Sequence, residues 1–129
     1  MSATPALKVM LVEDHAAFRE ALALLLSHNP EIEVVVQAGS LTEAREAIAG
    51  GLEEHLDIAV VDLGLPDGDG RELFAELRRA NPGISVVVLS ATIEAGHIDD
   101  LLRAGADAVL DKVESPLTIT EEIRQLGGV

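Results

Sequence analysis

Five residues could do chemistry together: Glu13, Asp14, Asp62, Ser90 and Lys112. Each lies at or just beyond the end of a short aliphatic run. Glu13 and Asp14 follow Val9–Val12, Asp62 follows Ile58–Val61, Ser90 follows Val86–Leu89, and Asp111-Lys112 follow Ala108–Leu110. A further run, Val34–Val36, leads to Ala38-Gly39 and brings no reactive group. If the runs are parallel strands, their carboxyl ends share one edge, where open α/β sheets collect function. Three carboxylates in one cup repel each other, so at least one pKa rises unless a cation sits between them. Carboxylate and carbonyl oxygens suit Mg2+ rather than a soft metal. A lysine and a hydroxyl facing Asp62 could neutralise and hydrogen-bond an oxyanion attached to it. Carboxylate, Mg2+, ammonium and hydroxyl around one point are what transfer of a phosphoryl group to Asp62 needs.

The elements that must position these groups are legible too. The aliphatic runs are continuous rather than alternating, as in strands covered on both faces. Between them the spacing is helical. Phe18, Ala21, Leu22, Leu25 and Leu26 form one apolar stripe. Ala44, Ala47 and Ile48 form a second after Ser40, a candidate cap, and Leu73, Phe74 and Leu77 a third, stopped by Asn81-Pro82-Gly83. Ile98, Leu101 and Leu102 end at Gly105, and Pro116 opens a last helix with Leu117, Ile123 and Leu126. The order is β-α repeated fivefold, which predicts a single α/β domain with a doubly wound parallel sheet. With no linker or internal repeat, one domain is expected over residues 1–129, with its core from about 7 to 126 and no output domain in the chain.

Composition removes other classes. The chain has 129 residues, 48% of them hydrophobic, so it can build a core; only 2% are aromatic, so that core is aliphatic. A net charge of −14 repels phosphate backbones, and direct nucleic-acid binding is not expected. The absence of cysteine excludes disulfides, thiolate metal sites and thiol nucleophiles. No signal-peptide pattern and no apolar run near the roughly 18 residues of a membrane span is present, so a cytoplasmic chain without membrane contact is expected.

Taken together, Glu13-Asp14, Asp62, Ser90 and Lys112, with VVDLGLPDGDG around Asp62 and GADAVLDK around Lys112, resemble the receiver domain of two-component response regulators. The resemblance runs from about Leu7 to Leu126 and implies the flavodoxin-like strand order 2-1-3-4-5. It implies that Asp62 is the phosphoacceptor. Asp14 would ligate Mg2+ directly, Glu13 through water, and the Gly64 backbone carbonyl would complete the protein ligands with Asp62. It implies that Ser90 is the switch hydroxyl, that Lys112 pairs with the phosphoryl group, and that Gly64 and Thr92 tune the lifetime of the acyl phosphate. Pro66 and Gly70 would shape the loop after the acceptor. The implied partner is a histidine kinase or phosphotransfer protein, with a homodimer as a further expectation, and no turnover of an external substrate. One departure stands out: three residues before the lysine the family places Tyr or Phe, and this chain has Val109. The start LVEDHAAFREALALLL resembles receivers that precede a LuxR-type helix-turn-helix module, which implies transcriptional control through a segment beyond Val129.

Several residues have plainer readings. His15 is expected at the rim of the cup, and His28, His55 and His97 on the surface, without ligand spacing. Asp14 could cap the first helix, and Asp67 and Asp69 suit turn chemistry and capping of the third. Two other functions compete with this one. A phosphorylation-independent protein-binding module fits Val109 but not the retention of all the site groups. A haloacid-dehalogenase-like aspartyl phosphatase wants D-x-D-x-[TV] after the first strand, which is missing.

Overall fold

The carboxyl ends of five parallel strands meet at one edge. The computed structural model describes residues 6–50, 55–91 and 95–129. Strands β1 (Leu7–Val12), β2 (Ile32–Ala38), β3 (Ile58–Asp62), β4 (Ser85–Ser90) and β5 (Ala108–Asp111) form one sheet in the order β2-β1-β3-β4-β5. The runs of Val, Ile and Leu lengthen by a residue or two at their ends, but each forms the strand expected. Register fixes the functional edge. Val12 lies opposite Val61, Asp62 opposite Leu89, and Ser90 opposite Asp111. Glu13 and Asp62 therefore arrive at one level, with Ser90 one residue and Lys112 two residues further along the adjacent strands of the same edge.

The continuous hydrophobicity follows from the two-period of a strand: alternate side chains enter different layers. Val9, Leu11, Val60, Val87 and Leu89 pack with Leu22, Leu26, Ile119 and Ile123 of helices α1 (Ala16–Ser27) and α5 (Pro116–Gly127). Met10, Val12, Val61, Val86 and Val88 pack on the other face with Leu41, Phe74, Leu77 and Leu101 of α2 (Leu41–Ala49), α3 (Phe74–Ala80) and α4 (Ala95–Ala104). Each buried Val or Leu contributes about 1.5–3 kcal/mol of transfer free energy, so two aliphatic layers replace the missing aromatics.

Local signals set the helix ends. The Ser40 side chain accepts from Glu43 N–H at α2, and Ser115 accepts from Thr118 N–H ahead of Pro116 at α5. α3 ends at Ala80, just before Asn81-Pro82-Gly83, and α4 ends before Gly105, whose φ of 118° suits glycine. The N-cap of α1 is His15, with no side-chain cap bond, so Asp14 is not spent on capping.

Candidate functional site

Glu13 leaves β1 with its backbone fixed on both sides: its N–H donates to Ala38 O at 2.9 Å, and its carbonyl accepts from Arg19 Nη1 at 2.8 Å. Its side chain turns inward and is only 2% exposed. Oε1 accepts from Lys112 Nζ at 2.7 Å and from His15 N–H at 3.1 Å, while Oε2 is buried without a hydrogen-bond partner. Asp62, at the end of β3, is buried as well. Its Oδ2 accepts from Lys112 Nζ at 3.1 Å and its Oδ1 from Gly64 N–H at 3.2 Å. Lys112 thus bridges acids from two strands while its own N–H donates to Ser90 O, and its ammonium stands 5.6 Å above the Phe18 ring.

The electrostatics follow from this crowding. Burial first, and the like charge of Glu13 second, push the Asp62 carboxyl from 3.8 up to about 6, against the pull of Lys112. Burial alone would lower the Lys112 ammonium, but its hydrogen bonds to Glu13 and Asp62 outweigh it and hold the pKa above its ordinary value. Asp14 is more open, its side chain 32% exposed, with Oδ1 3.7 Å from His15 Nδ1. Ligand atoms of Glu13, Asp14 and His15 lie within 4.8 Å of one another. An orphaned buried carboxylate oxygen beside a carboxyl raised by burial and by like charge is relieved by a hard cation, and the acid oxygens suit Mg2+. The donor set fits that ion.

Gly64 and Gly70 frame Asp62 differently. Gly64 is exposed, and a Cβ there meets nothing within 4 Å. A Cβ on Gly70 would strike the Asp62 carbonyl oxygen and come within 2.8 Å of Val61 Cγ1. Gly70 is therefore required by close approach of two backbones. Gly70→Ala is expected to lower stability by about 1–3 kcal/mol, the usual cost of overpacking, read from urea unfolding midpoints. An unchanged midpoint would show that the loop simply yields.

Most sequence expectations for the site meet in space: Glu13, Asp62 and Lys112 in direct contact, Asp14 and Gly64 beside them, Ser90 on the next strand. Thr92 lies outside the described residues. Val109 packs against the α2–α4 layer of the core and offers no ring. His15 is at the rim as expected, and His28 and His55 are exposed. His97 departs from expectation: it is half-buried, and its Nε2 lies 3.3 Å from Ser90 Oγ. A helix that passes over the strand end brings it there, which no local spacing shows. Asp69 caps the turn Gly70–Leu73 that leads into α3, reciprocally with Glu72. Asp67 instead reaches across to α2, accepting from Leu41 N–H at 2.8 Å and Thr42 N–H at 2.9 Å, which holds its carboxyl low. That correction has a simple cause: the donors are free at the nearer helix end in space, not in sequence. Arg19 was not legible as a support for Glu13. A cation in the first turn of a helix, where the dipole disfavours it, is the one local hint.

The family model of the response regulator receiver domain matches residues 9–124. The DNA-binding transcriptional activator DevR/DosR of Mycobacterium tuberculosis is 32% identical over 120 residues, covering 93% of this chain and 54% of that protein. The response regulator protein VraR of Staphylococcus aureus is 33% identical over 119 residues, covering 92% and 56%. The chain spans about half the length of the curated relatives it matches. Among solved structures, the signal receiver domain of the putative response regulator NarL of Mycobacterium tuberculosis superposes with a TM-score of 0.81 at 26% identity, over 97% of this chain and 98% of that one.

Proposed function

The chain belongs to the response regulator receiver domain family of two-component systems, and from that premise we propose that it accepts a phosphoryl group on Asp62 from the phosphohistidine of a histidine kinase or phosphotransfer protein. The observation that carries the reading is the Lys112 ammonium, 2.7 Å from Glu13 Oε1 and 3.1 Å from Asp62 Oδ2, over a buried Asp62. An Asp62 oxygen attacks phosphorus, a P–O bond forms as the P–N bond breaks, and the departing imidazole nitrogen keeps the electron pair and takes a proton from water. Lys112 stays anchored on Glu13 while its second bond passes to a phosphoryl oxygen. The Ser90 hydroxyl donates to another. Mg2+, held by Asp14, Asp62 and the Gly64 carbonyl with Glu13 behind them, would supply positive charge to the same oxygens. The acceptor is the chain's own side chain, so no turnover of an external substrate follows. The cytoplasm is the compartment of this exchange. Control of transcription through a further domain of a longer protein is the output that fits the relatives.

Incubation with acetyl phosphate and Mg2+, followed by intact-mass analysis, tests the reading. One added phosphoryl group supports it. No adduct would favour a binding module, and turnover of a phosphomonoester would favour a phosphatase.

The lifetime of that adduct gives a separate expectation. Gly64 presents no side chain towards an approaching water, and the space around it is open. Gly64→Arg is expected to change the decay rate of the acyl phosphate several-fold while labelling still goes to completion. Identical decay curves would place control of hydrolysis elsewhere.

A further inference from the structure

Where the receiver family carries an aromatic three residues before the lysine, this chain has Val109. Valine is β-branched and stiff at χ1, with no ring to swing. A different side chain touches the hydroxyl. Ser90 ends β4 and is 4% exposed; His97, in the first turn of α4, lies with Nε2 3.3 Å from Ser90 Oγ. His97 shares a helix face with Leu101, four residues on and fully buried in the layer against which Val109 packs. Among the described residues of α4, Leu101 alone is fully buried, and Leu102 is exposed. A helix with so few buried anchors belongs to the low-stability end of a fold, so one bond at its first turn matters. Arg71 chiefly, and His97 least, hold the Asp69 carboxyl below its ordinary value.

We propose that His97 is a positioning residue for the switch hydroxyl: it ties Ser90 to α4 in the unphosphorylated chain, and phosphoryl acceptance, by drawing Ser90 to the phosphoryl oxygen, releases the first turn of α4. Whichever of the two groups donates, a rotamer change that carries Ser90 Oγ to the phosphoryl group on Asp62 gives up the 3.3 Å contact with His97 Nε2. The helix then responds without an aromatic. This rests on reading Asp62 as the acceptor and Ser90 as its hydroxyl partner.

Amide hydrogen exchange over residues 95–104, with and without beryllofluoride in Mg2+, tests it on the wild type, His97→Ala, His97→Gln and Ser90→Ala. In the wild type, α4 exchanges faster on loading. In free His97→Ala it already exchanges about fivefold faster, the ratio set by a hydrogen bond of ordinary worth, and loading adds less than half the wild-type change. Gln can place an amide where Nε2 stood, so His97→Gln keeps the wild-type response. Ser90→Ala removes the same bond from the other side and matches free His97→Ala. A full wild-type response in His97→Ala overturns the proposal, and so does equal loss in Ala and Gln, which would mean packing alone. Free Ser90→Ala exchanging like wild type overturns it even if His97→Ala does not fold. Labelling by acetyl phosphate separates the two readings. A wild type that takes no phosphoryl group on Asp62 fails the acceptor assignment and this proposal with it. Labelling with an α4 indifferent to His97 fails this proposal alone.

Discussion

Asp62→Asn gains no phosphoryl adduct from acetyl phosphate under conditions in which the wild type gains one. The amide has nearly the same shape and keeps an oxygen for the Gly64 N–H, which now lies 3.2 Å from Asp62 Oδ1. It lacks the anionic electron pair that attacks phosphorus, so the effect is loss of the reaction rather than a slower rate. Intact mass reads the adduct, and circular dichroism reads the fold, which is expected to be unchanged. Undiminished labelling of the variant would move the acceptor to another carboxylate, with Asp14 the first to test.

Two substitutions in the same cup are expected to move stability in opposite directions in metal-free protein. In the folded chain the Asp62 carboxyl is raised from 3.8 to about 6. The folded state therefore binds more protons than the unfolded one between those pH values, and stability falls as pH rises through that window. Above it, Asp62→Asn removes a burden of up to about 3 kcal/mol and melts several degrees higher than wild type. The advantage shrinks as pH falls towards 4, where the wild-type acid is neutral. Lys112→Met does the reverse. It leaves Glu13 and Asp62 buried without their shared cation, at a cost of about 3 kcal/mol or more for breaking a buried pair. That loss is greatest above pH 6 and eases on acidification, because Asp62 then takes up a proton. Thermal melts from pH 4 to 8 in chelator check both signs. Mg2+ should raise the wild-type midpoint more than that of Asp62→Asn. Equal stabilisation of both would remove Asp62 from the metal site.

The sequence by itself determined the layers and the functional edge. Continuous Val and Ile runs alternating with helical stripes read as strands covered on two faces and joined by parallel crossovers, and the resemblance to receiver domains implied their order. Once the strands lie side by side, whatever follows each run must meet at the same edge. Glu13, Asp62, Ser90 and Lys112 were therefore legible as one site from their places after the runs. What the sequence could not carry was the pairing within that edge. Lys112 bridging Glu13 to Asp62 above the Phe18 ring, Arg19 on the Glu13 carbonyl and Asp67 on the α2 N-terminus all join residues far apart in the chain. His97 on Ser90 is the clearest case. A lone histidine at the start of a helix reads as a surface residue, because periodicity reports the face a side chain lies on and not the strand end over which that face is laid. Tertiary packing alone decided that, by setting α4 against the carboxyl end of β4.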